Sequence, residues 1–392
     1  MQTYFATFLI LVTTVSVSAQ NSLDRTLSSV REKNKTIIAA KQHVTATQLG
    51  NHTGLAPENP SISADYLIGR PVEGGNQFDF TITQGFDFPT VYSHKKRMAN
   101  QQDELSTIGL RGVEQEVLLE AKITYLELIH LNRQKQTLEK RTANSTALVD
   151  NYQKKYDAEQ ISGLELNKAK LQLLNFQSEL RTIKSQIEVK TQHLTELNGG
   201  LELSIQDLVY PVEPIVPDFN TLEASIEAVD PQLLWLNQQS VMNQTALRIS
   251  KAQALPKWET GYHYQSVLGQ VFNGVHFGLT IPLWEHKNTV KHADATIQLT
   301  DFRLEEHKVE HYFEIKELYH NYETLKETLT NYSELLDGLN SEEILNKSLE
   351  LGEIDFITYV MELQYYYTFH DQLRVVEKDY QVALAELFKY QL

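Results

Sequence analysis

Cysteine is absent from all 392 residues. Its absence excludes disulfides, thiolate metal ligands and cysteine nucleophiles, and also anchoring through an acylated N-terminal cysteine. Basic residues are in short supply: 35 Lys and Arg stand against 51 Asp and Glu, a formal net charge of −16. So acidic a chain lacks the basic face that displaces counterions from a phosphate backbone, and nucleic acid is not expected as a partner. Long apolar runs are missing too: past the first 19 residues, none approaches the ~20 residues of a spanning helix. These absences leave a β-barrel open, because its strands are only half apolar.

Residues 1–19 carry no Asp, Glu, Lys or Arg, hold the apolar run Phe8-Leu9-Ile10-Leu11-Val12, and end in Val17-Ser18-Ala19. That pattern predicts a signal peptide cut before Gln20, and hence an exported protein. Proline is scarce and grouped: Pro57, Pro60, Pro71 and Pro89, then Pro211, Pro214, Pro217, Pro231, Pro256 and Pro282. The proline-free stretches Thr90–Tyr210 and Leu283–Leu392 are rich in Leu, Glu, Lys and Gln, as long helices require. Asn198-Gly199-Gly200 closes the first, and the triple-proline segment Tyr210–Pro217 reads as a linker.

Within the first stretch, Leu166, Ala169, Leu173, Phe176, Leu180, Ile183, Ile187, Leu194 and Leu197 follow 3,4 spacing. Such a seam specifies helices packed side by side. Lys190 is its one polar position, and displaced by 193 residues the seam returns, interrupted at Glu362, as Tyr359, Tyr366, Phe369, Leu373, Val376, Tyr380, Ala383, Leu387 and Tyr390. Gly85-Phe86-Asp87-Phe88-Pro89 and Gly278-Leu279-Thr280-Ile281-Pro282 share the offset, as do Gln160-Ile161-Ser162 and Glu353-Ile354-Asp355. The chain is read as an internal duplication: a first repeat over 20–198, a linker over 199–219 and a second repeat over 220–392.

Each repeat carries a predicted β-hairpin, at about 61–88 and about 257–281. Phe78, Phe80, Ile82, Phe86 and Phe88 alternate with Gln77, Asp79, Thr81, Thr83 and Asp87, after a shorter run in which Ile62, Ala64, Tyr66 and Ile68 share a parity. In the second repeat Trp258, Thr260, Tyr262 and Tyr264, then Val275, Phe277, Leu279 and Ile281, take the apolar parity. Strands of about 9–12 residues have membrane-crossing length, and an aromatic parity suits the interfaces of an outer-membrane barrel. Two amphipathic hairpins on a soluble core are the alternative. Two hairpins cannot close a barrel alone, so strands from other chains are expected, and three chains supply twelve. The helices fit a tall wall: Val91–Tyr156 spans about 100 Å, against about 55 Å for Ile161–Leu197 and about 45 Å for Ser22–Asn51. In the second repeat Leu283–Glu350 is expected to match Ile354–Tyr390 plus Asn220–Gln253.

Paired hairpins ending G-x-x-x-P, two long helical hairpins and the turn Leu351-Gly352-Glu353-Ile354 together resemble the TolC-like outer-membrane efflux protein family, the outer membrane factors. The resemblance implies a mainly α fold with a membrane part. Long helical hairpins would form an α-barrel, and four strands per chain would complete a twelve-stranded trimeric β-barrel. It implies a passive outer-membrane exit duct of a tripartite efflux system, without catalysis or cofactor. The implied partners are two further copies, outer-membrane lipid, a periplasmic adaptor and a proton-driven inner-membrane transporter. It assigns adaptor docking to the periplasmic tips: Gln160, Ile161, Ser162 and Gly163, with Gly352, Glu353, Ile354 and Asp355. The counterpart of Gly352 in the first repeat is Glu159, a departure from the family pattern. Thr358 and Met361 stand where some members ring the aperture with acids, and Glu353, Asp355 and Glu362 are candidate substitutes.

Heavy-metal cations are one expected cargo. Type I polypeptide secretion and a secreted coiled-coil scaffold are the alternative functions. His307-Lys308-Val309-Glu310-His311 matches the H-x-x-E-H pattern of a zinc peptidase, but sits on a charged helix and is read as an exposed face. No P-loop, G-x-G-x-x-G or Ser-His-Asp order points to other chemistry.

Overall fold

The computed structural model describes residues 21–71, 74–337 and 341–392. The expected signal peptide lies outside the described residues. Two compact units form. One takes the described chain up to Ala39, Val113–Ala228 and Tyr312–Leu392; the other takes Ala40–Gly112 and Val229–His311.

Helix α1 covers 21–33 and α2 covers Lys35–Asn51. Strands β1 (Ser61–Leu67) and β2 (Gln77–Phe86) lead into the 69-residue helix α3, Pro89–Asp157, which contributes to both units. Helix α4 is Gly163–Leu197, followed by α5 (Phe219–Glu227) and α6 (Pro231–Gln253). Then come β3 (Lys257–Val267), β4 (Gln270–Thr280), α7 (Thr289–Asp337), α8 (Ser341–Glu350) and α9 (Phe356–Leu387).

Three of the expected helices are interrupted, each for a readable reason. The run from Ser22 breaks at Asn34, whose buried side chain donates to Leu197 O at 2.8 Å and accepts from Ile37 N at 3.0 Å. Its amide acts as an internal cap. The run Asn220–Gln253 divides before Pro231, which cannot donate from its nitrogen and sits in the first turn of α6. Asp230 caps that start by accepting from Leu233 N at 2.6 Å. The expected helix Leu283–Glu350 begins only at Thr289, after Asn288 in the left-handed region (φ 69°). Residues 338–340 lie outside the described part.

The four strands form one antiparallel sheet in the order β1-β2-β3-β4. The strands of the two repeats thus meet at the β2–β3 pair. The β3–β4 connection is a two-residue turn in which Leu268 (φ 51°) and Gly269 (φ 77°) are both left-handed, as a tight hairpin twist demands. In the same unit, α6 and α7 join through Asn243, which donates to the Thr300 hydroxyl at 2.8 Å, with both residues buried.

The helical unit has three cores. Tyr125, Leu118, Ile129 and Leu194 centre the first, and Leu222, Ile315, Tyr380 and Leu384 the third. The second joins α3, α4 and α9 through Leu138, Tyr152, Leu166, Phe176, Phe356 and Tyr359. These clusters contain most of the heptad seam residues of both repeats, Leu173, Phe369, Leu373 and Val376 excepted, as 3,4 spacing requires of one helical face. The segment between α4 and α5 is irregular but stitched down. Asp207 accepts from the Ser22 and Tyr125 hydroxyls at 2.8 and 2.9 Å, and Glu213 accepts from Tyr380 and Gln381 at 3.0 and 2.8 Å.

Candidate functional site: the sheet face and the helical tips

Strand register decides what the sheet presents. Residues directly opposite each other in an antiparallel pair share a face. Ile62 pairs Ile82 and Tyr66 pairs Phe78; Phe80 pairs Tyr264, Ile82 pairs Tyr262 and Phe86 pairs Trp258; Tyr262 pairs Val275 and Trp258 pairs Leu279. All the apolar parities therefore fall on one face. A slip of one residue in any pair would scatter them.

That face is uncovered. Val275 is 85% exposed, Ile62 68%, Phe277 67% and Leu279 58%. Isolated apolar residues on a surface mean little, but a contiguous sheet face of this kind marks a partner or a membrane. The other face is polar and bonded to itself. The Ser61 and Thr83 hydroxyls are 2.6 Å apart, the Thr81 hydroxyl lies 2.8 Å from His263 Nδ1, and His276 Nε2 lies 2.9 Å from Glu259. Glu259 reaches His276 across Gly278, where a Cβ would stand 2.7 Å from the Glu259 Cγ. β1, with seven residues, falls short of the expected length of about 9–12 because the chain leaves the ladder before the Gly69–Pro71 turn. The eleven-residue β3 and β4 are about 37 Å long at 3.4 Å per residue, or about 28 Å tall when tilted by ~40°. This matches the apolar band of a membrane barrel, about 25 Å. No described helix is long and apolar enough to cross a membrane.

In the helical unit the two tips turn out to be the same turn built twice. Glu159 and Gly352, equivalent across the repeat, are both left-handed, at φ 59° and 71°. In the first tip Glu159 N donates to Tyr156 O and Gln160 N to Lys155 O, each at 2.9 Å. In the second Gly352 N donates to Leu349 O at 3.2 Å and Glu353 N to Ser348 O at 2.9 Å. These paired bonds satisfy the last carbonyls of each descending helix. The ascending helices are capped alike: Ser162 accepts from Glu165 N, and Asp355 from Thr358 N at 2.7 Å. The capping bonds to Thr358 hold the Asp355 carboxyl below its usual range.

The predicted tip residues therefore occupy two equivalent turns. Gln160, Ser162, Gly352, Glu353 and Asp355 are exposed, while Ile161, Gly163 and Ile354 are half-buried. The turns are tied together in the second core, where the Tyr152 and Phe356 rings stand 4.5 Å apart. Thr358, Met361 and Glu362 lie on the opposite, exposed side of α9 from buried Phe356, Tyr359 and Leu363. Tyr359 donates to Asn346 at 2.8 Å, and burial pushes its hydroxyl up to about 12.

The clamp between α3 and α9 was not legible in the sequence. Arg141, 6% exposed, makes a bidentate pair with Asp371 at 2.8 and 2.9 Å and lies 3.8 Å over the Tyr367 ring. Arg133 bonds Glu377 at 2.7 Å. No periodicity links residues more than 200 positions apart. His307 and His311 turn their Nε2 atoms to Asp230, at 3.4 and 3.5 Å, whereas Glu310 points to solvent. His311 is buried, so the reading of that motif as an exposed face holds for Glu310 and not for the imidazoles. Among the described residues no group of three or more His, Asp or Glu side chains is arranged to hold a metal.

Solved structures share this architecture. A membrane protein from Pseudomonas aeruginosa superposes with a TM-score of 0.79 at 13% identity, covering 94% of this chain and 90% of its own. The Campylobacter jejuni CmeC outer membrane channel gives 0.72 at 14%, covering 94% and 85%. The fold is that of outer-membrane channels. The outer membrane protein VceC of Vibrio cholerae agrees, with a TM-score of 0.75 at 12% identity over 94% of this chain and 95% of that one. No protein-family model and no curated protein matches the sequence. At such identities it is the fold that is shared.

Proposed function

We propose that this chain is the outer-membrane exit duct of a tripartite efflux system, a passive conduit across the periplasm and outer membrane. The observation that carries the reading is the register-matched, uncovered apolar sheet face on an outer-membrane-channel fold. Among the described residues β1 and β4 each have one edge unpaired. Such an edge in a membrane must be satisfied by another strand. Three copies joined β1 to β4 give a closed twelve-stranded barrel, with the apolar face toward lipid and the polar face toward a lumen. The long helical hairpins would close as an α-barrel. The equivalent tips, including Gln160–Gly163 and Gly352–Asp355, are assigned to a periplasmic adaptor, behind which an inner-membrane transporter supplies the energy. Thr358, Met361 and Glu362 would line the aperture.

Asp65, Asp79 and Glu259 outnumber Lys257 on the polar strand face. Three copies would set a negative potential inside the barrel that favours cations. His263 and His276 on that face are the ligand type that borderline divalent metals take, which supports heavy-metal cations as cargo. To test the reading, the full chain is expressed with its leader and fractionated, and the detergent-extracted protein is weighed by light scattering and added to planar bilayers. Membrane recovery, three chains per particle and stepwise conductance are expected. A monomer recovered without detergent, with no conductance, would overturn it.

A further inference from the structure

Two segments leave the same end of the sheet: the row Phe86, Trp258, Leu279 closes it, with α3 following β2 and α7 following β4. Both segments are basic in a chain of net charge −16. Residues 88–102 hold Lys95, Lys96 and Arg97 and no acid, and residues 281–293 hold Lys287 and Lys291 against Glu285 alone. Lys95 pairs Asp87 at 3.3 Å and Lys257 pairs Glu285 at 3.1 Å. Lys96, Arg97, Lys287 and Lys291 are exposed and form no ion pair among the described residues. Lys291, in the first turn of α7, is opposed by the helix dipole, so local helix energetics do not explain it.

In the segment that carries Lys287 the apolar surface continues past the last strand. Ile281 is 60% exposed, Leu283 68% and Trp284 80%. Nothing in the fold requires three large apolar side chains in succession to face outward on a polar turn. Tryptophan beside lysine is the composition of a membrane–water interface, where the indole lies at headgroup depth and the ammonium reaches phosphate.

We propose that this end of the sheet is an anionic-phospholipid collar. Ile281, Leu283 and Trp284 enter the headgroup–acyl boundary of the periplasm-facing leaflet, and Lys96, Arg97, Lys287 and Lys291 bind the phosphates of acidic phospholipids. The collar rests on the barrel reading above and adds depth, leaflet and lipid class to it. The surface is continuous with the apolar sheet face, and its charge is opposite to that of the rest of the chain. It fixes the barrel axially, because moving it inward would bury four cations and moving it outward would expose the indole.

Three tryptophans occur in the chain, Trp235, Trp258 and Trp284, which allows a direct test. Full-length protein carrying Trp235→Phe and Trp258→Phe reports from Trp284, and protein carrying Trp235→Phe and Trp284→Phe reports from Trp258. Each is placed in phosphatidylcholine nanodiscs doped with phosphatidylglycerol or phosphatidylcholine brominated near the carbonyl end of the chains. Both reporters are expected to be quenched, Trp284 more by the phosphatidylglycerol probe. Substituting Lys287→Gln and Lys291→Gln should lower that preference by up to about fivefold per cation removed. Quenching of Trp258 without Trp284 overturns the collar and leaves the barrel standing. Equal quenching of Trp284 by both probes, unaffected by the lysine substitutions, overturns the acidic-lipid assignment. Quenching of neither overturns the barrel and the collar together.

Discussion

The two tips invite a quantitative exchange, because one turn geometry is built once on glycine and once on glutamate. A left-handed conformation costs an L-residue about 1–2 kcal/mol, and Glu159 bears that cost at φ 59°. Replacing it with glycine removes the torsional cost but loosens the unfolded chain by about 0.5–1 kcal/mol. Glu159→Gly is therefore expected to stabilise the first tip by about 0.5–1 kcal/mol. Gly352→Ala is the converse. A Cβ there meets nothing within 4 Å, so the penalty is torsional alone, and the second tip should lose about 1 kcal/mol. The reporters are the amides of Gln160 and Glu353, which close the turns onto Lys155 and Ser348. Native-state hydrogen exchange should show the Glu353 amide about fivefold faster in Gly352→Ala, and the Gln160 amide slower by a smaller factor in Glu159→Gly. Unchanged exchange at Glu353, or faster exchange at Gln160, would refute the claim that the two turns are energetically equivalent apart from this one side chain.

Other expectations follow from burial and register. Val275→Lys puts a charge at mid-strand on the apolar face and should cost about 2–4 kcal/mol of folding into bilayers, read by urea titration in vesicles. His276→Lys, one residue along on the polar face, should cost far less, and equal penalties would contradict the assignment of faces. Burial, with Lys378 and Arg133 nearby, pushes His130 down to about 4. A histidine that resists protonation when folded gives its full stability above pH ~6.5 and loses it as pH falls toward ~4, in all about 3 kcal/mol. His130→Gln should flatten the stability curve of the extracted protein over that interval. Arg141→Met should destabilise by about 3 kcal/mol, the low end for a broken buried pair, because Asp371 is 42% exposed and rehydrates. Faster exchange confined to α3 and α9 is the expected signature.

Much of this molecule was written locally. Alternation over Gln77–Phe86 and in the second hairpin requires amphipathic strands, because side chains on a strand take opposite faces in turn. The grouped prolines free two long stretches for helices. The common offset of 193 residues aligns the two tips, but Glu159 in the place of Gly352 left the shape of the first open; the paired bonds at Glu159 and Gly352 show that both are the same turn. The breaks at Asn34 and before Asn288 were not legible, since a capping amide or a left-handed residue acts through partners that periodicity does not name.

What the sequence alone determined is therefore the period of each element and the existence of an apolar parity in every strand. Only tertiary structure decided that the four parities fall on one face, since register is fixed by pairing across strands of different repeats. Long-range pairing also brought Arg141 to Asp371 and buried His311 against Asp230. The same local pattern is compatible with a hairpin on a soluble core or a wall against lipid. What separates the two is whether anything covers the apolar face, and none of those side chains can carry that information by itself.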